Sequence, residues 1–238
     1  MPTIKKRGAA AKKQQPEEEL RSMARQVSGF AEAHRQNLTV AVVVLAVALV
    51  LFAGYRLVRS QQERKAAPAV ADALGYYSPA QGFEPDYAKA LDLFRDVQNL
   101  YPSTMSGAIA QYYVGNCLAD LGRYDEALRE YQAFTGKYTG DTFLLGLVHE
   151  RMGYVYGNLG RQAEAVKAFE QSETLIGPGT ATMELAKLYE SAGNAAAAQQ
   201  KYKVIADKLA GTAWAMDAMG KVQKITPMQP PAVPKKGK

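Results

Sequence analysis

The chain has 238 residues, a formal net charge of +6 and a pI near 9.2. Residues 1–60 hold ten Lys/Arg against four Glu, whereas residues 61–238 hold nineteen residues of each sign. The basic excess therefore belongs to the N-terminal segment, where it suits anionic lipid headgroups, and the rest has no electrostatic footprint for nucleic acid.

Residues 1–15 are rich in Lys, Ala and Gln and are expected to form a disordered basic tail. Pro16, a favoured first-turn residue, is followed by Glu17, Glu18 and Glu19, placed well for the dipole of a helix over 16–37. Leu20, Met23, Val27, Phe30 and His34 then recur at helical spacing, as in an amphipathic juxtamembrane helix. Such a stripe either lies on a membrane surface, pairs with a partner helix or simply leads into the apolar run beyond it.

Leu38 to Gly54 is uncharged, and Thr39 is its only polar side chain. Seventeen residues at 1.5 Å each span about 26 Å, close to the lower limit for a bilayer. The run predicts a transmembrane helix over 38–55, with His34, Arg35, Tyr55 and Arg56 in the headgroup zones. A soluble core helix apolar on every face needs protein all round it, and the polar flanks offer none. A cleaved signal peptide would have an unusually long leader, and no Cys stands close enough after the run for a lipoprotein anchor. The expectation is a retained single-pass anchor. Its orientation is not decided locally: within about twenty residues of the run, three Lys/Arg precede it and four come after it. A short basic tail resists crossing while long folded domains cross largely regardless of charge, which places the N-terminus in the cytoplasm.

Residues 56–84 read as a linker and an irregular helix from Pro68 to Tyr77, closed by a Gly/Pro-containing loop at Ser78 to Pro85. From 85 to 212 one pattern recurs. Ala90 and Phe94, Ala127 and Tyr131, Ala165 and Phe169, and Ala198 and Tyr202 are each four residues apart, and the alanines are spaced by 37, 38 and 33. Gly122, Gly160 and Gly193 stand five residues before three of these alanines, where a left-handed residue ends one helix and turns the chain into the next. Seven residues earlier come Gly115, Gly153 and Ala186, small enough for close helix approach, while Leu118, Tyr156 and Tyr189 supply the knobs. The two long spacings predict extended loops near Gly140 and Pro178. Ala213, Met216 and Met219 predict a capping helix over 213–225, and residues 226–238, with four prolines and three lysines, predict a disordered tail.

Small, aromatic, Gly, Ala, aromatic in this register resembles the tetratricopeptide repeat. The expected fold class is all-α: a single N-terminal transmembrane helix followed by a tetratricopeptide-like solenoid of helical hairpins. The closing proline of the family falls in place only at Pro102; Thr139, Gly177 and Ala210 occupy the equivalent points. The resemblance implies an inner surface, lined by the first helix of each hairpin, that binds peptides or protein segments. Projecting the register puts Tyr112, Asn116, Glu150, Tyr154, Met183 and Lys187 on it. Asn116 and Lys187 are too few to match the family's carboxylate clamp.

A basic tail, one anchor and about three and a half repeats also resemble the layout of the bacterial ancillary subunit of the secretion translocon. That layout implies a bacterial inner-membrane protein with periplasmic repeats, and partners that include the translocon and periplasmic chaperones. A cytosol-facing adaptor or import receptor shares the same order of parts.

No enzyme, metal or cofactor is expected. Only His34 and His149 are present, and no phosphate loop, paired-Cys site or nucleophile motif appears. Cys117 is the single cysteine and reads as a buried small thiol, and Asp125, Glu126 and Glu130 read as a solvated face beside Arg123 and Arg129.

Overall fold

The computed structural model describes Met23 and residues 34–225. The tails expected over 1–15 and 226–238, and most of the amphipathic stretch 16–37, lie outside those residues. The elements are α1 (Arg35–Tyr77), α2 (Tyr87–Leu100), α3 (Met105–Asp120), α4 (Tyr124–Lys137), α5 (Thr142–Asn158), α6 (Gln162–Ile176), α7 (Thr180–Ser191), α8 (Ala195–Lys208) and α9 (Ala213–Ile225). Among the described residues there is no strand. The chain divides into two compact units, Met1–Ser60 and Gln61–Lys238.

In the first unit the described part of α1 carries its apolar side chains bare. Val42, Leu45, Val50 and Phe52 are all more than half exposed. The helix is long and apolar enough to cross a membrane by length and composition, and its apolar window buries nothing.

In the second unit consecutive helices pack as hairpins. The first hairpin is made by the C-terminal part of α1, which buries Ala66, Val70 and Ala73 in one core with Ala90 and Phe94 of α2. This corrects the expected start at Pro68. The buried stripe begins before that proline, which sits exposed inside the helix. Glu63 adds a tie on the same side, accepting the Met105 N–H at 2.8 Å and the Ser106 N–H at 3.2 Å at the start of α3. Packing on both sides of the proline outweighs its cost of about 3 kcal/mol within a helix.

Each later hairpin turns on the same corner. Gly122, Gly160 and Gly193 have φ of +75°, +72° and +74°, a region closed to most side chains. The next N–H in each case, from Arg123, Arg161 or Asn194, donates at 2.8 Å to the carbonyl of Leu118, Tyr156 or Tyr189. This six-residue closure satisfies carbonyls that a helix end leaves open. Past the corner, Ala127, Ala165 and Ala198 are fully buried, as are the rings of Tyr131 and Tyr202. A Cβ on Gly115 would lie 2.4 Å from the Tyr131 ring, and one on Gly153 2.6 Å from the Phe169 ring. The small residue of one helix is thus the seat of the aromatic in the next.

The long repeat spacings do not lengthen loops. Four residues join α4 to α5, as four join α2 to α3, and three join α6 to α7. The added residues are helical: α3 and α5 have 16 and 17 residues, α7 only 12. Asp141 starts α5 sharply by accepting the Leu144 N–H at 3.0 Å. One large core runs from Ala66 to Leu185, and a smaller one joins Ala186, Ala198, Tyr202, Ile205 and Ala218.

Candidate functional site

The first helices of successive hairpins are α1, α3, α5 and α7, and three of them meet at Tyr77. Its hydroxyl donates to Asp120 Oδ2 at 2.7 Å and accepts from Arg151 Nη2 at 3.0 Å. Around it the rings interlock: Tyr77 meets Tyr113 edge-on at 5.1 Å, and Tyr113 stacks on Phe94 at 5.0 Å. Tyr112 leans edge-on against Tyr113 at 5.1 Å and stays half-buried. Burial pushes the Tyr77 hydroxyl well above its ordinary value, and its hydrogen bond to the Asp120 carboxylate pushes the same way.

Further along, Glu150 and Tyr154 are half-buried on α5. Burial raises the Glu150 carboxyl; Glu184 of α7 raises it too, against the opposing Arg151. Burial also pushes the Tyr154 hydroxyl up to about 12, with Glu184 and Glu150 adding to it. The Tyr154 ring stands edge-on to Phe169 at 5.2 Å. Lys187 is exposed and paired with Glu184 at 2.8 Å. Met183 packs half-buried against the smaller core.

Asn116 is a correction to the projected set. It is 1% exposed, and its Oδ1 accepts the Tyr131 hydroxyl at 2.6 Å. Tyr131 brings a hydroxyl into the core with its ring, and Asn116 is the partner that keeps it satisfied. Tyr77, Asp120, Arg151 and Glu184 escaped the projection. Arg151 and Glu184 each adjoin a projected residue, so a wider window would have included them. Tyr77 and Asp120 lie at helix ends, where the repeat register says nothing.

His149 lies half-buried on the other side of α5, with Nδ1 buried and without a hydrogen-bond partner. It borders a shallow groove of about 470 Å³ with Lys167, Glu170 and Thr174. Among the described residues no group of His, Cys, Asp or Glu is placed to hold a metal.

Residues 109–140, the hairpin that carries Gly115, Gly122, Ala127 and Tyr131, match the family model of the tetratricopeptide repeat. The fold is a tetratricopeptide-repeat solenoid. A tetratricopeptide-repeat protein from Parabacteroides merdae is similar in structure with a TM-score of 0.54 and 16% identity. That match covers 69% of this chain and 60% of the Parabacteroides chain. The nearly identical tetratricopeptide-like repeats of a putative kinesin light chain from Podosopora anserina give a TM-score of 0.52 at 17% identity, over 68% of this chain and 85% of that one. Likeness at these identities speaks for the fold alone. No curated protein sequence matches the chain.

Proposed function

We propose that the chain is a non-catalytic, membrane-anchored tetratricopeptide scaffold that holds protein segments along the inner face of its first helices. One observation carries this reading: the half-buried row of Tyr112, Arg151, Glu150 and Tyr154. Rings, a guanidinium and a carboxylate are held there by neighbouring helices yet left partly open. Together they offer stacking surfaces and charges of both signs to a peptide. The bare apolar run of α1 supports the anchor.

In this reading the anchor sits in a bacterial inner membrane with the N-terminus in the cytoplasm. The repeats stand in the periplasm and assist secreted or envelope proteins at the translocon, alongside periplasmic chaperones. A photo-crosslinker at Tyr154 in native membranes tests the surface. Defined adducts that disappear with Glu150→Ala are expected; their absence counts against it. The near-even split of basic residues around the apolar run does not decide the orientation, so a cytosol-facing adaptor stands as the second reading. Protease added to intact spheroplasts separates the two: digestion of the repeats supports the first and protection the second.

A further inference from the structure

The first hairpins of the repeat unit have two unlike ends. Within this unit α1 and α3 run the same way: Glu63 accepts the Met105 N–H at 2.8 Å at one end, and the Tyr77 hydroxyl donates to Asp120 at 2.7 Å at the other. The loop from α4 to α5 belongs to the Glu63 end, because the Tyr138 hydroxyl donates at 2.9 Å to the carbonyl of Pro102 in the loop from α2 to α3. Three apolar side chains stand bare at this end. Leu100 is 68% exposed, Met105 48% and Phe143 63%. Residues 99–106 and 138–145 hold a single charged side chain, Asp141, and it is engaged by the Leu144 N–H as the cap of α5. The charges next along the chain are basic and exposed: Arg64 and Lys65 after Glu63, and Lys137 before Tyr138. The other end differs in character. Its corners carry ion pairs, Arg123 with Glu126 at 2.6 Å and Arg161 with Glu164 at 2.9 Å. Phe83 and Leu121 are exposed there too, but each has a carboxylate beside it in sequence, Glu84 and Asp120.

Bare apolar tips among uncharged and basic residues are the chemistry that a lipid interface takes up. Chain connectivity holds this end near one. Val58, the last exposed apolar residue of the α1 run, and Glu63 stand five positions apart, a reach of about 18 Å at most even if fully extended. We propose that the Glu63 end of the repeat unit rests on the membrane. Leu100, Met105 and Phe143 enter the boundary between headgroups and acyl chains, and Arg64, Lys65 and Lys137 meet anionic headgroups. This contact rests on the anchor of the reading above and adds a second hold on lipid, made by the repeats themselves. It keeps the repeats against the bilayer, with the ion-paired corners turned to water.

The full chain, reconstituted into vesicles of phosphatidylethanolamine and phosphatidylglycerol, supplies the test. In a Cys117→Ala background, Val47→Cys, Phe143→Cys and Gln162→Cys each carry a small fluorophore, and the lipids carry nitroxides at deep or shallow acyl positions. The label at 143 is expected to lose about half of its fluorescence or more to shallow nitroxides, as a group at the headgroup boundary does. The label at 47 responds to deep nitroxides and the label at 162 to neither. Leu100→Gln with Met105→Gln is expected to reduce quenching at 143 while leaving quenching at 47 and helicity unchanged. Exchanging phosphatidylglycerol for phosphatidylcholine weakens it at 143 only, and indifference to that exchange overturns the headgroup contact. Quenching at 47 without quenching at 143 overturns the inference and leaves the anchor standing; no quenching at 47 overturns both. Equal quenching at 143 and 162 also overturns it, as does a label at 143 that is shielded from water yet unquenched, since protein then covers this end.

Discussion

Gly153 has room for a hydrogen and nothing more, because the Phe169 ring occupies the space a methyl would take. Gly153→Ala is expected to lower stability by about 1–3 kcal/mol, the usual cost of overpacking a filled core. Four residues on, Gly157 has nothing within 4 Å of a built Cβ, so Gly157→Ala on the same helix is expected to raise stability by up to roughly 1 kcal/mol. Denaturant titration of the pair checks both signs. Glu150 makes a different prediction. Its folded carboxyl is raised above the ordinary 4.5 by burial, so the folded state holds the proton more tightly than the unfolded chain. The stability this gives is present below that value and is lost as pH rises through the folded one. Near neutral pH Glu150 therefore costs stability, and Glu150→Gln is expected to raise the melting temperature there, with the gain vanishing in acid. Asn116 shows why single positions were hard to place from sequence: register gives the direction of a side chain, but only the neighbouring ring shows that a tyrosine hydroxyl waits there.

At the scale of the element, Tyr77 ends α1 and ties it to α3 and α5 through Asp120 and Arg151. Tyr77→Phe keeps the ring packing and strands both charged partners. A loss of roughly 1–3 kcal/mol is expected, with amides near the end of α1 exchanging faster. The hairpin corners were legible in advance because only glycine is at ease at φ near +75°, so its spacing betrays each turn. The length of each helix was not legible. Counting from alanine to alanine gives the number of residues between corners, and it cannot tell a longer loop from an added helical turn; α5 absorbed the excess. Pro68 misled for a related reason. Its local preference for a helix start was overridden by Ala66 and Val70, buried on either side of it.

For the whole molecule, stacked hairpins gain stability mostly from their neighbours, so the ends of the stack are its weak points. The smaller core of α7, α8 and α9 rests on few buried side chains, and Ala186, Ala198 and Ala218 are among them. Amides of α8 and α9 are expected to exchange about tenfold faster than those of α3 to α6, and uniform protection along the chain would contradict this. The solenoid could be read from sequence because each hairpin repeats one local solution. The cluster around Tyr77 could be read only in part, since it joins residues such as Tyr77 and Arg151 that stand 74 positions apart. Cys117 lies at the centre of this stack, fully buried, with its thiol pushed up to about 12 by burial and the nearby Asp120 charge. A thiol so placed is inert to alkylating reagents until its surroundings part. Its labelling rate in intact cells would therefore act as a clock for how often the middle of the stack comes apart.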